Sequence, residues 1–175
     1  MTPDDENADN ESFSVYIDEF RKHLDKGYIQ KAYQGLIEYI MQLRRHFQKK
    51  FPTYRVSGSI YYGYMDMSYF AVIPEYLKPL KLKIAVVFVF ETFQFEVWLS
   101  AANKKILKKY WNHIKDHNWT NYQVPSSLKN KDSILEHVLV EDPDFIDLDA
   151  LTAKIEKGTL DFMENVLDFF SKSEK

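Results

Sequence analysis

Residues 82–100, LKIAVVFVFETFQFEVWLS, are the most strongly patterned part of the chain and constrain the fold more than any other part. Residues 84–90 are all apolar, so both faces of this first half are buried, which places it in the middle of a sheet. Residues 93–100 alternate between two faces, as in a strand with one face partly exposed to water. The connection lies near Glu91 and Thr92, which lack the Asn-Gly pattern of a tight turn, so the loop length stays open. The pattern predicts a β-hairpin against which the other elements pack.

Four helices are predicted around this hairpin, from apolar residues that recur every three or four positions. The first two form an N-terminal pair and are separated by Gly27, a residue that favours the left-handed backbone found after helices. The second helix covers residues 28–50, and the third is capped near Asn103. The last helix begins at the acidic cap of residues 147–149 and runs to about Phe170.

The remaining strands are less strongly patterned. Residues 54–73 are rich in aromatic side chains and predict two short strands joined near Gly63. Residues 134–140 fit either a short edge strand or a helical turn, and both alternatives stay open. Residues 12–175 are therefore expected to form a single α+β domain. Its architecture is a mainly antiparallel sheet of about four strands with helices packed on it, including the N-terminal helix pair and a C-terminal helix.

The composition restricts the class of protein. Hydrophobic residues make up 45% of the 175 residues, which excludes global disorder. The chain has no cysteine, which excludes disulfides, thiolate zinc sites and thiol catalysis, and which fits a reducing cytoplasm. Residues 1–11 are acidic and lack the apolar core of a signal peptide, so they predict a disordered acidic tail. Residues 82–102 are long enough to suggest a membrane span, but Glu91, Gln94 and Glu96 interrupt them, so no membrane partner is expected.

Charge is distributed unevenly along the chain, although the net charge is only −3. Residues 1–11 carry a charge of −5 and residues 132–175 carry −8, whereas residues 12–131 carry +10. A basic body between acidic ends suggests a negatively charged partner.

Lysines on one face of the third helix are the main candidate for a binding surface. They are Lys104, Lys105, Lys108 and Lys109. Their helical spacing brings several cations close enough together to neutralise several phosphates at once. Arg44 and Arg45 extend this surface if the second helix lies beside the third. A solvated helix face is the more common explanation of such a run. The candidate partner is a nucleic acid or an acidic protein.

Aromatic side chains near the two central strands form a second candidate, a ligand pocket. Its expected residues are Tyr62, Tyr64, Asp66, Tyr69, Glu96 and Trp98. The rings favour burial of an apolar ligand, and the carboxylates of Asp66 and Glu96 supply its polar contacts. Ordinary packing of a sheet against helices explains the same rings without any ligand.

Three other groups of residues lack the spacing that their chemistry needs. His113 and His117 have the i, i+4 spacing of two metal ligands, but no glutamate follows the first histidine as it does in zinc proteases. The carboxylates of residues 141–149 lack the spacing of a calcium loop. Asp66 and Glu96 suggest a nuclease pair, but a tryptophan occupies the position of the required lysine. The sequence predicts no catalytic residue, no metal and no cofactor.

Three longer segments carry recognisable motifs. They are GYMDMSYF at residues 63–70, FEVWLSAANKKI at residues 95–106 and VEDPDFIDLDALTAKIEKGT at residues 140–159. In these segments the chain resembles a family of short bacterial proteins that is known only as a domain of unknown function. The resemblance covers most of the chain from Ser12 onward and implies a bacterial or archaeal cytoplasmic protein. It implies no chemistry and no functional residue.

The expected function is that of a non-enzymatic binding module whose basic helix face contacts a polyanion or an acidic partner. The alternative is a small-molecule-binding protein or an enzyme that uses the aromatic pocket around Asp66 and Trp98. Clustered, exposed lysines favour the first function, and a concave site that encloses Asp66 and Glu96 favours the second.

Overall fold

The computed structural model describes the backbone of residues 3–173 and the side chains of residues 12–173. The disorder predicted for the acidic tail, residues 1–11, stays a prediction, because the side chains of these residues lie outside the described range. The chain groups into two compact units, Met1–Tyr39 and Ile40–Lys175. The single domain expected for residues 12–175 also stays a prediction.

The described residues form five helices and five strands. The helices are α1 (Pro3–Leu24), α2 (Tyr28–Lys50), α3 (Leu77–Leu80), α4 (Lys104–Asp116) and α5 (Leu148–Ser173). The strands are β1 (Arg55–Val56), β2 (Met67–Ile73), β3 (Leu82–Val89), β4 (Gln94–Ala101) and β5 (Ser133–Val140). The α+β class is confirmed, with its N-terminal helix pair and C-terminal helix.

The first unit contains α1 and the start of α2, and Gly27 makes the turn between them. Gly27 has a φ of +72°, which glycine adopts without the steric cost of a side chain. Its N–H donates to the carbonyl oxygen of Leu24 over 2.9 Å, and the side-chain amide of Gln30 donates to the same oxygen over 2.9 Å. These bonds satisfy a carbonyl that has no partner within α1.

The second unit is built on one antiparallel sheet with the strand order β1-β2-β3-β4-β5. Strand β3 lies in the middle, as its two apolar faces predict, and Ile84 and Val87 on opposite faces are both 0% exposed. The predicted hairpin is β3 and β4, with Leu82 opposite Ala101 and Val89 opposite Gln94. Residues 134–140 belong to the edge strand β5, so the strand alternative is the right one.

Helices cover one face of this sheet. The register places Phe70, Val86 and Val97 side by side on that face, and each is at most 2% exposed. Phe47 of α2 packs against Phe70 with ring centroids 5.6 Å apart. Helices α4 and α5 both contact β4 and β5. The main core therefore lies between the sheet and these three helices.

Side-chain caps fix where α4 and α5 begin, at the positions that the sequence predicts. The Oδ1 atom of Asn103 accepts the N–H of Ile106 over 3.0 Å. The Oδ1 atom of Asp147 accepts the N–H of Ala150 over 3.0 Å. Each cap satisfies an N–H group that has no partner within its helix.

The predicted strands, rather than a membrane span, account for the apolar residues 82–102. No helix among the described residues is both long enough and apolar enough to cross a membrane.

Helix α5 is joined to the end of α2 by a partly buried ion-pair network. Glu156 accepts a hydrogen bond from Lys50 Nζ over 2.7 Å and contacts Nε2 of His46. Burial alone raises the pKa of the Glu156 carboxyl, but hydrogen bonds from Lys50 and His46 and their charges outweigh burial and hold this pKa below its ordinary value.

A tight turn leads the chain into β2. Gly63 has a φ of +66°, and a Cβ at this position would lie 2.1 Å from the carbonyl oxygen of Met67. The Oδ1 atom of Asp66 accepts the N–H of Tyr64 over 2.8 Å, and the carbonyl oxygen of Asp66 accepts the N–H of Phe90 over 3.0 Å. Backbone hydrogen bonds from Tyr64 and Met67 hold the pKa of the Asp66 carboxyl below its ordinary value.

We expect Gly63→Ala to lower the free energy of unfolding by about 1–3 kcal/mol, because the new Cβ meets backbone and the left-handed conformation disfavours a side chain. Urea unfolding followed by circular dichroism measures the change. Gly58→Ala is the matched control, since a Cβ at Gly58 would have no atom within 4 Å. Equal free energies of unfolding for the two variants would contradict the claim that the turn at residue 63 requires glycine.

Glu156→Gln should lower the free energy of unfolding at pH 7 by about 1–2 kcal/mol, because it removes a charged hydrogen-bond acceptor from α5. The folded-state pKa of Glu156 lies below 4.5, so this stabilisation is present above about pH 4.5 and is lost as the pH falls through the folded-state pKa. Urea unfolding from pH 7 to pH 3 should show the wild type and the variant converging. Glu164→Gln removes the same charge from an exposed position of α5 and is the control. A difference in the free energy of unfolding between the wild type and Glu156→Gln that is as large at pH 3 as at pH 7 would show that the charge of Glu156 does not stabilise the fold.

Candidate functional site

The face of the sheet opposite Phe70 and Val86 carries aromatic and charged side chains. In the register, Val87 lies between Tyr69 of β2 and Glu96 of β4 on this face. We call it the open face; its central residues are Tyr69, Lys83, Ala85, Val87, Glu96 and Trp98. Val87 is fully buried, so the long side chains beside it help to cover the centre of the sheet.

A cavity of about 230 Å³ lies on the open face, and we call it the ring cavity. Its rings and apolar side chains are Tyr61, Met67, Tyr69, Ala85 and Trp98. Its polar side chains are Lys83, Ser100 and Asp132. Tyr61 reaches the cavity because its backbone pairs with Tyr69 in an antiparallel bridge, and the two ring centroids are 5.1 Å apart.

Lys83 supplies the cation of the ring cavity. Its ammonium lies 5.1 Å from the ring centroid of Tyr69 and 3.5 Å from the hydroxyl oxygen of that residue. Among residues 12–173, Lys83 forms no ion pair with a carboxylate. A half-buried ammonium beside aromatic rings is suited to a negatively charged or carbonyl-bearing ligand.

The predicted pocket residues fall into two groups. Tyr69 and Trp98 line the ring cavity. Tyr62 and Tyr64 are exposed and lie outside its lining, and Asp66 serves the turn before β2 instead. Asp66 was expected in the pocket, but the turn directs its carboxylate toward backbone N–H groups, and it does not line the ring cavity.

Glu96 lies on the open face beside the ring cavity and is only 9% exposed. Its two carboxylate oxygens accept hydrogen bonds from Nε1 of Trp98 and from Nε2 of Gln94, each over 2.6 Å. These bonds hold the indole of Trp98 in place. Glu96 therefore positions a cavity ring rather than lining the cavity itself.

All four predicted lysines of α4 are exposed to solvent. Lys104 Nζ lies 2.7 Å from Oδ1 of Asp132 and also donates to the carbonyl oxygen of Lys131. Lys109 lies over the ring of Tyr110, with Nζ 4.7 Å from its centroid. Lys105 and Lys108 are therefore the α4 cations best placed to contact a partner.

The fold adds lysines that the sequence pattern alone does not group with α4. The carbonyl oxygen of Lys81 accepts the N–H of Ala102 over 3.0 Å, which places Lys81 beside the start of α4. The bond from Lys104 to the carbonyl oxygen of Lys131 brings the loop before β5 to the same place. We call this surface the basic end, and its members are Lys81, Lys104, Lys105, Lys108, Lys129 and Lys131. The sequence pattern does not predict the whole basic end, because only the strand register reveals which loops meet there.

Arg44 and Arg45 lie on α2. Arg44 Nη1 donates to the carbonyl oxygen of Ser57 over 2.9 Å, next to the edge strand β1. Arg45 is exposed. The extension of the lysine surface to these two arginines stays a prediction.

The acidic segment of residues 141–149 lies away from the basic end. It begins directly after Val140, which pairs with Phe95 near the β3–β4 turn. Asp132 precedes the other end of β5, where Ser133 pairs with Ser100. The length of β5, about 24 Å for its eight residues, separates the two ends. This segment does not screen the lysines.

A larger and shallower groove of about 1090 Å³ runs along α5. Its charged residues are Asp161, Glu164 and Asp168, and its lining contains no cation. The groove is therefore an acidic surface.

The paired histidines of α4 make local contacts. Nδ1 of His117 lies 2.7 Å from the carbonyl oxygen of His113, and Nε2 of His113 lies 2.9 Å from Oγ of Ser173. No group of three or more histidine, cysteine, aspartate or glutamate side chains in the described part of the chain is arranged to hold a metal ion.

Comparison with known proteins places the chain in a family without a known activity. No curated protein and no solved structure matches it. A family model described as a domain of unknown function, DUF7000, matches residues 13–170. That match spans α2, the whole sheet and nearly all of α5, so it includes both the ring cavity and the basic end. The chain therefore belongs to the DUF7000 family.

Proposed function

We propose that this protein binds the phosphates of a nucleic acid at the basic end. The observation that supports this proposal is that hydrogen bonds join three separate segments. Lys104 donates to the carbonyl oxygen of Lys131, and the N–H of Ala102 donates to the carbonyl oxygen of Lys81. A single lysine-rich helix is commonly only a solvated face. Cations gathered from the residue before β3, from α4 and from the loop before β5 form a broader surface than one helix face, which suits contact with several phosphates.

The charge of this surface favours a polyanion. Residues 81–83, 104–108 and 129–136 together contain seven lysines and two carboxylates, Asp132 and Glu136. Both carboxylates are already paired, Asp132 with Lys104 and Glu136 with Lys131, over 2.7 and 2.8 Å. The field around the remaining lysines is positive, and it attracts a phosphate chain by releasing the counterions bound to that chain.

A nucleic acid is favoured over an acidic protein because the ring cavity adjoins the basic end. Asp132 lines the cavity and also binds Lys104. Aromatic rings beside a cationic surface are typical of sites that bind nucleic-acid strands. The proposal is for a binding module without catalytic residues, in a cytoplasmic protein, which the cysteine-free sequence supports. The resemblance to a family of short bacterial proteins supports a bacterial source.

Replacing Lys105, Lys108 and Lys129 together with glutamine should weaken nucleic-acid binding and its dependence on salt. Each lysine that contacts a phosphate of a single strand contributes about 0.7 to the slope of log K against log salt concentration, so the slope should become less steep by roughly 2. Fluorescence anisotropy of a labelled oligonucleotide, titrated at several salt concentrations between 50 and 200 mM, measures both effects.

The matched control replaces Lys49, Lys154 and Lys157 with glutamine, which removes the same charge from exposed positions outside the basic end. This control should retain nearly all of the affinity and the slope. Equal losses in both triple variants would show that net charge alone attracts the oligonucleotide. If an acidic peptide binds with the same lysine dependence while the oligonucleotide does not bind, the partner is an acidic protein and the proposal is wrong.

A further inference from the structure

We infer that the ring cavity receives one unpaired base of a single-stranded nucleic acid whose phosphates lie on the basic end. This inference rests on the proposed function and adds the feature of the strand that is recognised. It assigns roles to Tyr61, Tyr69, Trp98 and Lys83, which the lysine surface does not use.

The walls of the cavity suit a flat ring. Tyr61 and Tyr69 have ring centroids 5.1 Å apart and ring planes inclined by 30°, so the two rings pack against each other where they line the cavity. Trp98 lies on the other side of β3, opposite Ala85, whose small side chain leaves space between the rings. The hydrogen bond from Trp98 to Glu96 fixes the indole before any ligand arrives. Each base has a π face that stacks on such rings, whatever its sequence.

The size of the cavity limits the ligand to about one ring system. Its volume of about 230 Å³ is below that of pockets for drug-sized ligands, which is about 300–1,000 Å³. A single base fits this space better than a larger cofactor. A base pair within a duplex is excluded, because its faces are already stacked on neighbouring pairs and its edges are already hydrogen-bonded.

The polar atoms of the cavity match the edges of a base. The ammonium of Lys83 can donate to a ring nitrogen or a carbonyl oxygen, and the carboxylate of Asp132 can accept from an exocyclic amino group. The hydroxyl of Ser100 already donates to the carbonyl oxygen of Asp132 over 2.5 Å and so fixes the backbone at this corner. The negative charge of Asp132 is offset by Lys104, so it does not repel the strand.

The position of Asp132 indicates the path of the bound nucleic-acid strand. This residue lines the ring cavity on one side and binds Lys104 of the basic end on the other. A strand that places a base between the rings therefore brings its flanking phosphates toward Lys104 and its neighbours. The cavity confers a preference for single strands, and the basic end supplies most of the affinity.

The experiment compares three probes: a labelled single-stranded oligonucleotide, the same sequence as a duplex, and inorganic polyphosphate, which has phosphates but no rings. Tyr61→Leu removes one ring face while keeping an apolar side chain, and Tyr61→Phe keeps the ring. Tyr62→Leu is the matched control, because Tyr62 is exposed and lies outside the cavity. Circular dichroism and urea unfolding establish that each variant is folded.

We expect Tyr61→Leu to weaken single-strand binding roughly 5- to 150-fold, the range found when a stacking ring is removed, and to leave polyphosphate binding unchanged. Tyr61→Phe and Tyr62→Leu should bind the single strand as the wild type does. The wild type should bind the single strand more tightly than the duplex at the same salt concentration.

A second measurement needs no variant. Adenosine monophosphate should quench the tryptophan fluorescence of the wild type by stacking beside Trp98, and inorganic phosphate should not. Unchanged fluorescence at millimolar nucleotide would overturn the inference.

The outcomes separate this inference from the proposed function. If polyphosphate and the single strand both bind and Tyr61→Leu binds both as the wild type does, the base site is wrong and the basic end remains. If Tyr61→Leu weakens polyphosphate as much as the single strand, the ring acts only through the surrounding structure, and the inference also fails. If no probe binds at low salt, both proposals fail.

Discussion

Strand β3 carries apolar side chains on both faces, so both faces must be shielded from water. The arrangement of the other elements of the second unit follows from that requirement. Helices supply the cover on the side of Val86, where α2, α4 and α5 pack against the sheet. On the other side Val87 is equally buried, but its cover includes side chains of the neighbouring strands, Tyr69 and Glu96 among them. Side chains cannot fill such a surface as completely as a packed helix, and the ring cavity lies where small Ala85 faces the rings.

The antiparallel order of the strands explains the basic end. In a meander, the start of β3, the end of β4 and the start of β5 lie at the same end of the sheet. Lys81 precedes β3, α4 begins after β4, and Lys129 and Lys131 precede β5. Three lysine-bearing segments that are distant in sequence are thus placed together by topology alone. The acidic segment follows β5 and is carried to the opposite end by the same rule.

Much of the fold could be predicted from local patterns. The pattern of residues 82–100, apolar on both faces and then alternating, predicts the hairpin, and the capping residues Asn103 and Asp147 mark the two helix starts. The edge strand β5 could not be assigned, because a short apolar run fits a strand and a helical turn equally well. Gly158 weakens the helical pattern of α5, and it lies next to the end of the Leu139 side chain on β5.

The candidate sites were harder to predict than the fold because they depend on register and turn geometry. Tyr69 and Trp98 lie in well-patterned strands and line the ring cavity, whereas Asp66 accepts a backbone hydrogen bond in the turn before β2 and does not line it. Lys81, Lys129 and Lys131 carry no periodic signal, so only the three-dimensional structure joins them to α4.

The central claim is that one end of the sheet, with the adjoining open face, is the nucleic-acid surface. Hydrogen–deuterium exchange of the wild type, with and without a single-stranded oligonucleotide at low salt, tests this claim most directly. The account predicts slower exchange in residues 59–69, 81–85, 102–108 and 129–133, and no change along the acidic groove of α5. Protection that appears only along residues 160–171, or no protection despite measured binding, would contradict it.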